Sequence, residues 1–332
     1  MHEQSTRSGL LCRQDIRRLA GLLSGSLAAA FVPQRWDPAV VRLARSVHRA
    51  CFPRALDQVG EKMARVLPAG ACGDCSRLAE EYATMRLEDL WGRARGVWRY
   101  GWRPAIEIEG LERVHTALKR GRGAILWSMR FSSTTVIKQA FFRAGLPLRH
   151  LSRKQHGSPS MTRLGVRVVG PLYCRAENPY VAERVQIPLD GSLGYLNRLR
   201  EHLRENACIS IFGEHEGRQS AEVEVLGARW RFALGAPSLA WLEGAELLTA
   251  YALRTAPFRY RVVIDEPIAV DRSTPRKVFA AQALAQFAER LERLILLHPG
   301  QWQGWMYRTF ETCGGTKAVS KPTLGASAAG GR

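Results

Sequence analysis

The chain lacks most of the short patterns that announce a chemistry. It has no Walker-type phosphate loop and no G-x-G-x-x-G turn, so no nucleotide cofactor is implied. No G-x-S-x-G elbow surrounds Ser132 or Ser133; both precede the apolar run Val136, Ile137 and Ala140 and suit the N-terminus of a helix. Zinc-finger spacing and RNP-like strands are missing, and the tryptophans, such as Trp91 with Trp98, fall in helical or core patterns. Nucleic acid is therefore not an expected partner. Cys72-Gly-Asp-Cys75 is the only C-x-x-C, with no second pair and no H-x-x-x-H to complete a metal site. It reads as a loop with two incidental thiols. The cysteines number seven, without disulfide-scaffold spacing, and no leader pattern is convincing, which points to a reducing compartment. The most apolar stretch, residues 19–32, is interrupted by Gly21, Ser24, Gly25 and Ser26 and falls short of the about 20 residues a membrane span needs. Arg13, Arg17, Arg18 and Arg35 flank it. Two readings stay open: an amphipathic helix lying on a membrane, or a helix packed on the domain.

Positive charge and apolar residues are plentiful. The 332 residues are 46% hydrophobic, enough for a large core, and carry a formal net charge of +19. Such a charge attracts polyanions, including anionic lipid surfaces and acidic carrier proteins. Residues 1–12 and 312–332 read as disordered tails, the second being Gly/Ala/Ser-rich. Residues 13–103 read as a helical region, with Val40, Val41, Leu43, Ala44 and Val47 forming one stripe and residues 78–98 a second helix. From 104 to 311 strands alternate with helices. Strands are expected at 106–108, 124–127, 148–151, 166–169, 208–212, 222–226, 229–232, 247–253 and 260–264. Helices are expected at 111–119, 134–143, 193–204, from 237 and at 278–297. This order predicts an α/β fold with a largely parallel, helix-covered sheet.

Several segments, in order, carry a resemblance. They are Gly121-Arg-Gly-Ala-Ile-Leu-Trp-Ser-Met-Arg130-Phe-Ser-Ser-Thr-Thr135, then Leu151-Ser-Arg153, then Ile209-Ser-Ile-Phe-Gly213-Glu-His-Glu-Gly217-Arg218. Residues 225–254 and His298-Pro-Gly-Gln-Trp302…Trp305-Met-Tyr-Arg308 complete the set. Together they resemble the bacterial lipid A (lauroyl/myristoyl) and lysophospholipid acyltransferases over roughly residues 80–310. The resemblance implies a glycerolipid-acyltransferase type of sheet. It also implies transfer of a fatty acyl group from acyl-ACP or acyl-CoA to a hydroxyl of a glycolipid or surface polysaccharide. The chain would be peripheral, on the anionic cytoplasmic face of the inner membrane, with an acyl carrier protein or CoA thioester as donor and no bound cofactor.

The departure lies in the family's H-x4-D/E pair. Arg130 stands at the histidine position (Met129 under a one-residue slip) and Thr135 at the acid position. Arginine stays protonated and cannot be the general base, though it can bind phosphate or carboxylate or face an oxyanion. His156, in a polar turn, and His215, between Glu214 and Glu216, are candidate replacement bases. Arg153, Lys154, Glu214, Glu216 and Arg218 are candidate substrate-binding residues, against the alternative of solvated charge. A second function class stays open: a non-catalytic homologue that binds lipid or acyl chains as an accessory protein.

Overall fold

The computed structural model describes residues 12–306 except 69, 72, 99–100, 154–161 and 189. Both expected tails lie outside the described residues, save Cys12. Four helices lead: α1 (Arg13–Phe31), α2 (Asp37–Cys51), α3 (Pro53–Val66) and α4 (Cys75–Gly96). Then follow β1 (Ala105–Glu109), α5 (Leu111–Lys119), β2 (Ala124–Ser128), α6 (Thr134–Arg143) and β3 (Leu148–Arg153). After these come α7 (Gly170–Arg175), β4 (Val181–Ile187), α8 (Gly194–Arg204) and β5 (Cys208–Phe212). The chain closes with β6 (Ser220–Val225), β7 (Ala228–Ala233), α9 (Gly235–Glu243), β8 (Glu246–Ala256), β9 (Arg259–Ile264) and α10 (Arg276–Leu297).

Seven strands form one sheet in the order β1-β9-β8-β2-β5-β3-β4, in which only β8 and β9 pair antiparallel. The fold is thus the expected helix-covered, largely parallel α/β sheet with a helical N-terminal region. β2 is buried at every position because both its faces are covered. Its Ile125 and Trp127 pack toward Phe232, Phe287 and Trp302, while Ala124 and Leu126 pack toward Val136 and Ile137 of α6. Trp127 stacks on Phe287 at 4.2 Å between ring centroids. Burying each such ring contributes about 1.5–3 kcal/mol. The short β6–β7 hairpin turns at Leu226 and Gly227, both left-handed (φ 55° and 71°), as a two-residue connection requires.

The leading helices are tied down by buried charge. Arg95 of α4 donates from Nε to both carboxylate oxygens of Asp37 at 2.8 Å, and from its Nη atoms to the carbonyls of Ala29 and Val32 at 3.0 and 2.7 Å. Glu88 accepts from the Tyr260 hydroxyl at 2.6 Å, the Phe258 amide at 2.8 Å and Arg254 Nε at 2.9 Å, joining α4 to the β8–β9 hairpin.

Two expectations are corrected. Residues 166–169 are helical: Gly165–Val169 forms a wide helical turn running into α7, in which the Gly170 amide bonds back five residues to the Gly165 carbonyl. The outer parallel partner of β3 is instead β4, whose alternation of Val and Ile with Glu, Arg and Gln suits a sheet edge. Cys75, expected as an incidental thiol, is disulfide-bonded and so is no free ligand or nucleophile. Cys72 lies outside the described residues.

Candidate functional site

Parallel pairing brings the singled-out segments to one edge. β2, β5 and β3 are neighbours running the same way, so Arg130, the 213–218 turn and Arg153 all lie at the C-terminal end of the sheet. Open parallel sheets place ligands at that edge.

Arg130 and His215 meet there. Arg130 Nη2 contacts His215 Nε2. A guanidinium only donates, so Nε2 accepts and the ring proton sits on Nδ1. Both residues are half-buried. The Arg130 amide donates to Glu214 Oε1 at 2.6 Å, and Trp302 Nε1 donates to Glu214 Oε2 at 3.0 Å. Glu214 is 6% exposed, and each of its oxygens holds a piece of the fold. Phe212, the last residue of β5, lies under the Arg130 guanidinium at 5.3 Å from its ring centroid. The buried His150 ring meets the same phenyl edge-on at 5.4 Å.

The turn between β2 and α6 is held by the chain's last described segment. The Gln303 amide donates to the Arg130 carbonyl at 2.9 Å and the Ser132 amide to the Gln301 carbonyl at 2.9 Å. Ser132 Oγ donates to Gln301 Oε1 at 2.8 Å, and the Arg254 amide donates to Ser132 Oγ at 3.0 Å. These bonds keep Ser132 in a left-handed conformation (φ 38°), which non-glycine residues seldom adopt.

Behind Thr135 lies a buried ionic cluster. Glu177, 0% exposed, accepts from Lys138 Nζ at 2.6 Å, Arg93 Nη1 at 2.9 Å, Arg184 Nη2 at 3.0 Å and Thr135 Oγ1 at 3.3 Å. Thr135 thus sits against a carboxylate from elsewhere in the chain. Burial pulls the Lys138 ammonium down to about 8, although Glu177 opposes the fall. For Arg93 burial also works against the charge, but Asp89 and Glu177 more than offset it and hold the guanidinium above its ordinary range. Lys138 Nζ stands 5.6 Å from the Phe212 centroid, so both Arg130 and Lys138 face one ring.

The other candidates are more dispersed. Exposed Arg153 donates from Nη2 to the Glu216 carbonyl at 2.7 Å, and Arg218 from Nη1 to the Gly191 carbonyl at 3.3 Å. The side chain of Glu216 is exposed. Lys154 and His156 lie outside the described residues. Among the described residues no group of His, Cys, Asp or Glu is arranged to hold a metal ion. Lys138, Glu177 and Phe212 are additions that spacing does not reveal: they come from separate elements and look individually like solvated or core residues.

No family model matches the chain, and no curated protein matches it. Among solved structures it is similar to the 1-acyl-sn-glycerophosphate (LPA) acyltransferase PlsC from Thermotoga maritima. Identity is 14%, the match covers 75% of this chain and 98% of that one, and the TM-score is 0.31.

Proposed function

We propose that the chain transfers a fatty acyl group from an acyl thioester, acyl-ACP or acyl-CoA, to a hydroxyl of a glycolipid or surface polysaccharide. In this reading it resembles the lipid A late acyltransferases but uses a different base. The observation that carries the proposal is the Arg130–His215 pair at the C-terminal edge of β2 and β5. An acceptor hydroxyl displaces Arg130 from His215 Nε2 and gives that nitrogen its proton as its oxygen attacks the thioester carbonyl. The released guanidinium faces the oxyanion. Collapse breaks the C–S bond, leaving an ester, and the imidazolium returns its proton to the departing thiolate. Glu214 holds the Arg130 backbone and is a positioning residue in this scheme. His156 is the second candidate base, and Arg153, Lys154, Glu216 and Arg218 are candidate contacts for the acceptor or the donor's phosphates.

A position on the cytoplasmic face of the inner membrane belongs to the same proposal. No helix among the described residues is long and apolar enough to cross a membrane. On α1, however, Ile16, Leu23, Leu27 and Phe31 form one exposed row, beside exposed Arg17 and Arg35. An anionic surface would hold the basic chain where the acceptor lies, and the chain's own positive charge would draw an acidic acyl carrier to it.

The test is a reconstituted reaction of the full chain with an acyl thioester and a glycolipid acceptor in anionic vesicles, followed by mass spectrometry. A product heavier by one acyl group is expected. His215→Ala is expected to lower its rate by about 10²–10⁴-fold, and Arg130→Gln by about 10²–10³-fold. Full product from both His215→Ala and His156→Ala would remove these bases. A second reading, a non-catalytic lipid- or acyl-binding protein, is favoured by one observation: Arg130 already occupies His215 Nε2. Vesicle binding without any acylated product would select it.

A further inference from the structure

Three neighbouring parallel strands, β2, β5 and β8, are each entered from a helix, respectively α5, α8 and α9. The C-terminal ends of those helices therefore meet at the edge of the sheet opposite the candidate site. A cleft of about 390 Å³ opens there, lined by Arg120, Gly121, Arg122, Leu203, Arg204 and Glu243. Its charges do not balance. Arg200 and Arg204 both donate to Glu243, Arg204 Nε at 2.9 Å, and Arg120 is held by Glu246. Arg122 and Arg272 meet no carboxylate among the described residues. The fold nevertheless sets them side by side. Gly244 closes α9 in the left-handed conformation (φ 67°), and a Cβ built on it would lie 3.2 Å from Arg122 Cδ, 3.8 Å from Arg122 Nε and 3.5 Å from Arg272 Nη1. Both arginines thus share the space over one glycine, the residue next to Glu243.

The helix ends account for part of this charge and no more. Each helix C-terminus carries about half a negative charge. Those of α5, α8 and α9 together offset about half of what remains when five arginines share Glu243 and Glu246. The same ends are also bonded from within the chain: Asn206 Nδ2 donates to the Leu118 carbonyl at 2.8 Å, the Ala207 amide to the His202 carbonyl at 2.9 Å and the Ala245 amide to the Ala240 carbonyl at 3.1 Å. Asp271, beside Arg272, accepts from Ser273 and Thr274 within its own turn. We propose that this cleft binds a ligand carrying a diphosphate group, with Arg122 and Arg272 as its main contacts and Arg120 and Arg204 at its rim. Linked phosphates concentrate several negative charges and many acceptor oxygens in one small group, and guanidinium forks match them bidentately. A single phosphate would engage the Arg122–Arg272 pair and leave the rest of the cleft empty. All four arginines are exposed, so the ligand enters without rearrangement. The site stands apart from Arg130 and His215 and requires no acyl transfer.

The full chain is titrated at constant ionic strength with inorganic diphosphate, ADP and orthophosphate, by calorimetry and phosphorus NMR. Saturable binding of diphosphate is expected, roughly tenfold or more tighter than that of orthophosphate. Arg122→Gln and Arg272→Gln should each weaken it roughly tenfold. Arg130→Gln, and the pair Arg42→Gln with Arg45→Gln, should leave it unchanged, which separates the cleft from the candidate site and from the chain's general positive charge. Should one cleft variant fail to fold, the other carries the test. ADP binding with the same dependence on Arg122 and Arg272 assigns a nucleotide as the source of the group. Binding of inorganic diphosphate without ADP assigns the free anion; either supports the site. Absence of saturable binding by diphosphate and ADP overturns it, as does equal affinity for orthophosphate. Binding that ignores Arg122→Gln and Arg272→Gln but is lost in Arg130→Gln also overturns it, by placing the anion at the other edge of the sheet. So does displacement of diphosphate by a hexaglutamate peptide at lower concentration than by ADP, which would make the cleft a docking surface for an acidic protein segment.

Discussion

Lys138 holds a charge at 1% exposure, and its cost sets a pH dependence. Its folded-state value, about 8, lies below the ordinary 10.5, because burial disfavours the ammonium. Between those limits the unfolded chain binds more protons at this position than the folded one. Stability therefore rises with pH from about 8 to 10.5 as far as Lys138 decides it. Urea unfolding of the wild type should show that rise, and Lys138→Met should lack it; parallel curves would place the compensation elsewhere. Glu177 is the opposite case. Its loss in Glu177→Gln strands Arg93, Lys138 and Arg184 without their shared carboxylate, and should cost about 3–5 kcal/mol in the same assay. Neither residue is legible in advance. Thr134 to Phe141 is buried throughout, so Lys138 interrupts no visible polar face, and Glu177 sits in a turn far away in sequence. His215 and Arg130 are legible, because a charged residue after an apolar strand stands out. That they touch is not: 85 residues separate them, and only the parallel pairing of β2 with β5 brings the two strand ends together.

At the scale of elements, the site depends on how tightly β5 passes the core. A Cβ on Gly213 would lie 2.3 Å from Phe287 Cζ and 2.7 Å from Trp127 Nε1, so only glycine lets the chain leave β5 at that point. Gly213→Ala should cost about 1–3 kcal/mol by overpacking, and it should displace Glu214 and His215, which follow directly. A thermal midpoint unchanged from wild type would show that the rings yield instead. The closing segment acts on the same turn from the other side. Trp302 stacks on Trp230, at 5.5 Å between ring centroids, while its indole N–H holds Glu214. Most of this architecture is legible from periodicity: α5 and α6 fall where their apolar spacing puts them, β2, β5 and the middle of β8 are apolar runs of strand length, and β9 begins by alternating arginine with apolar residues. β4 escapes because Val181–Ile187 mixes Val and Ile with Glu, Arg and Gln, as edge strands do. Gly165–Val169 misleads for the reverse reason: a short β-branched run looks like a strand, and the backbone bonds from Val166 to Thr162 and from Gly170 to Gly165 show that it is helical.

For the molecule as a whole, the distribution of charge and apolar surface matters more than either total. α1 turns Leu22 and Ala29 toward α4 and leaves Leu23, Leu27 and Phe31 outside at 49, 61 and 80% exposure. α2 exposes Leu43 and Val47, and Trp36 and Phe52 stand out at its two ends. Exposed Arg17, Arg35, Arg42, Arg45 and Arg54 accompany them. Single exposed apolar residues are ordinary, but a helical row of them among arginines suits the boundary between anionic headgroups and acyl chains. Each basic side chain near such a surface contributes about 1 kcal/mol, and salt screens that part alone. Two variants therefore separate the forces. Leu27→Glu with Phe31→Glu should abolish flotation with anionic vesicles at high ionic strength and leave only weak, salt-sensitive binding at low ionic strength. Arg42→Gln with Arg45→Gln should weaken it at low salt and matter little at high salt, because the apolar row remains. If the glutamate pair floats as well as the wild type, the leading helices do not meet the membrane, and the charge that draws the protein to lipid lies on another face.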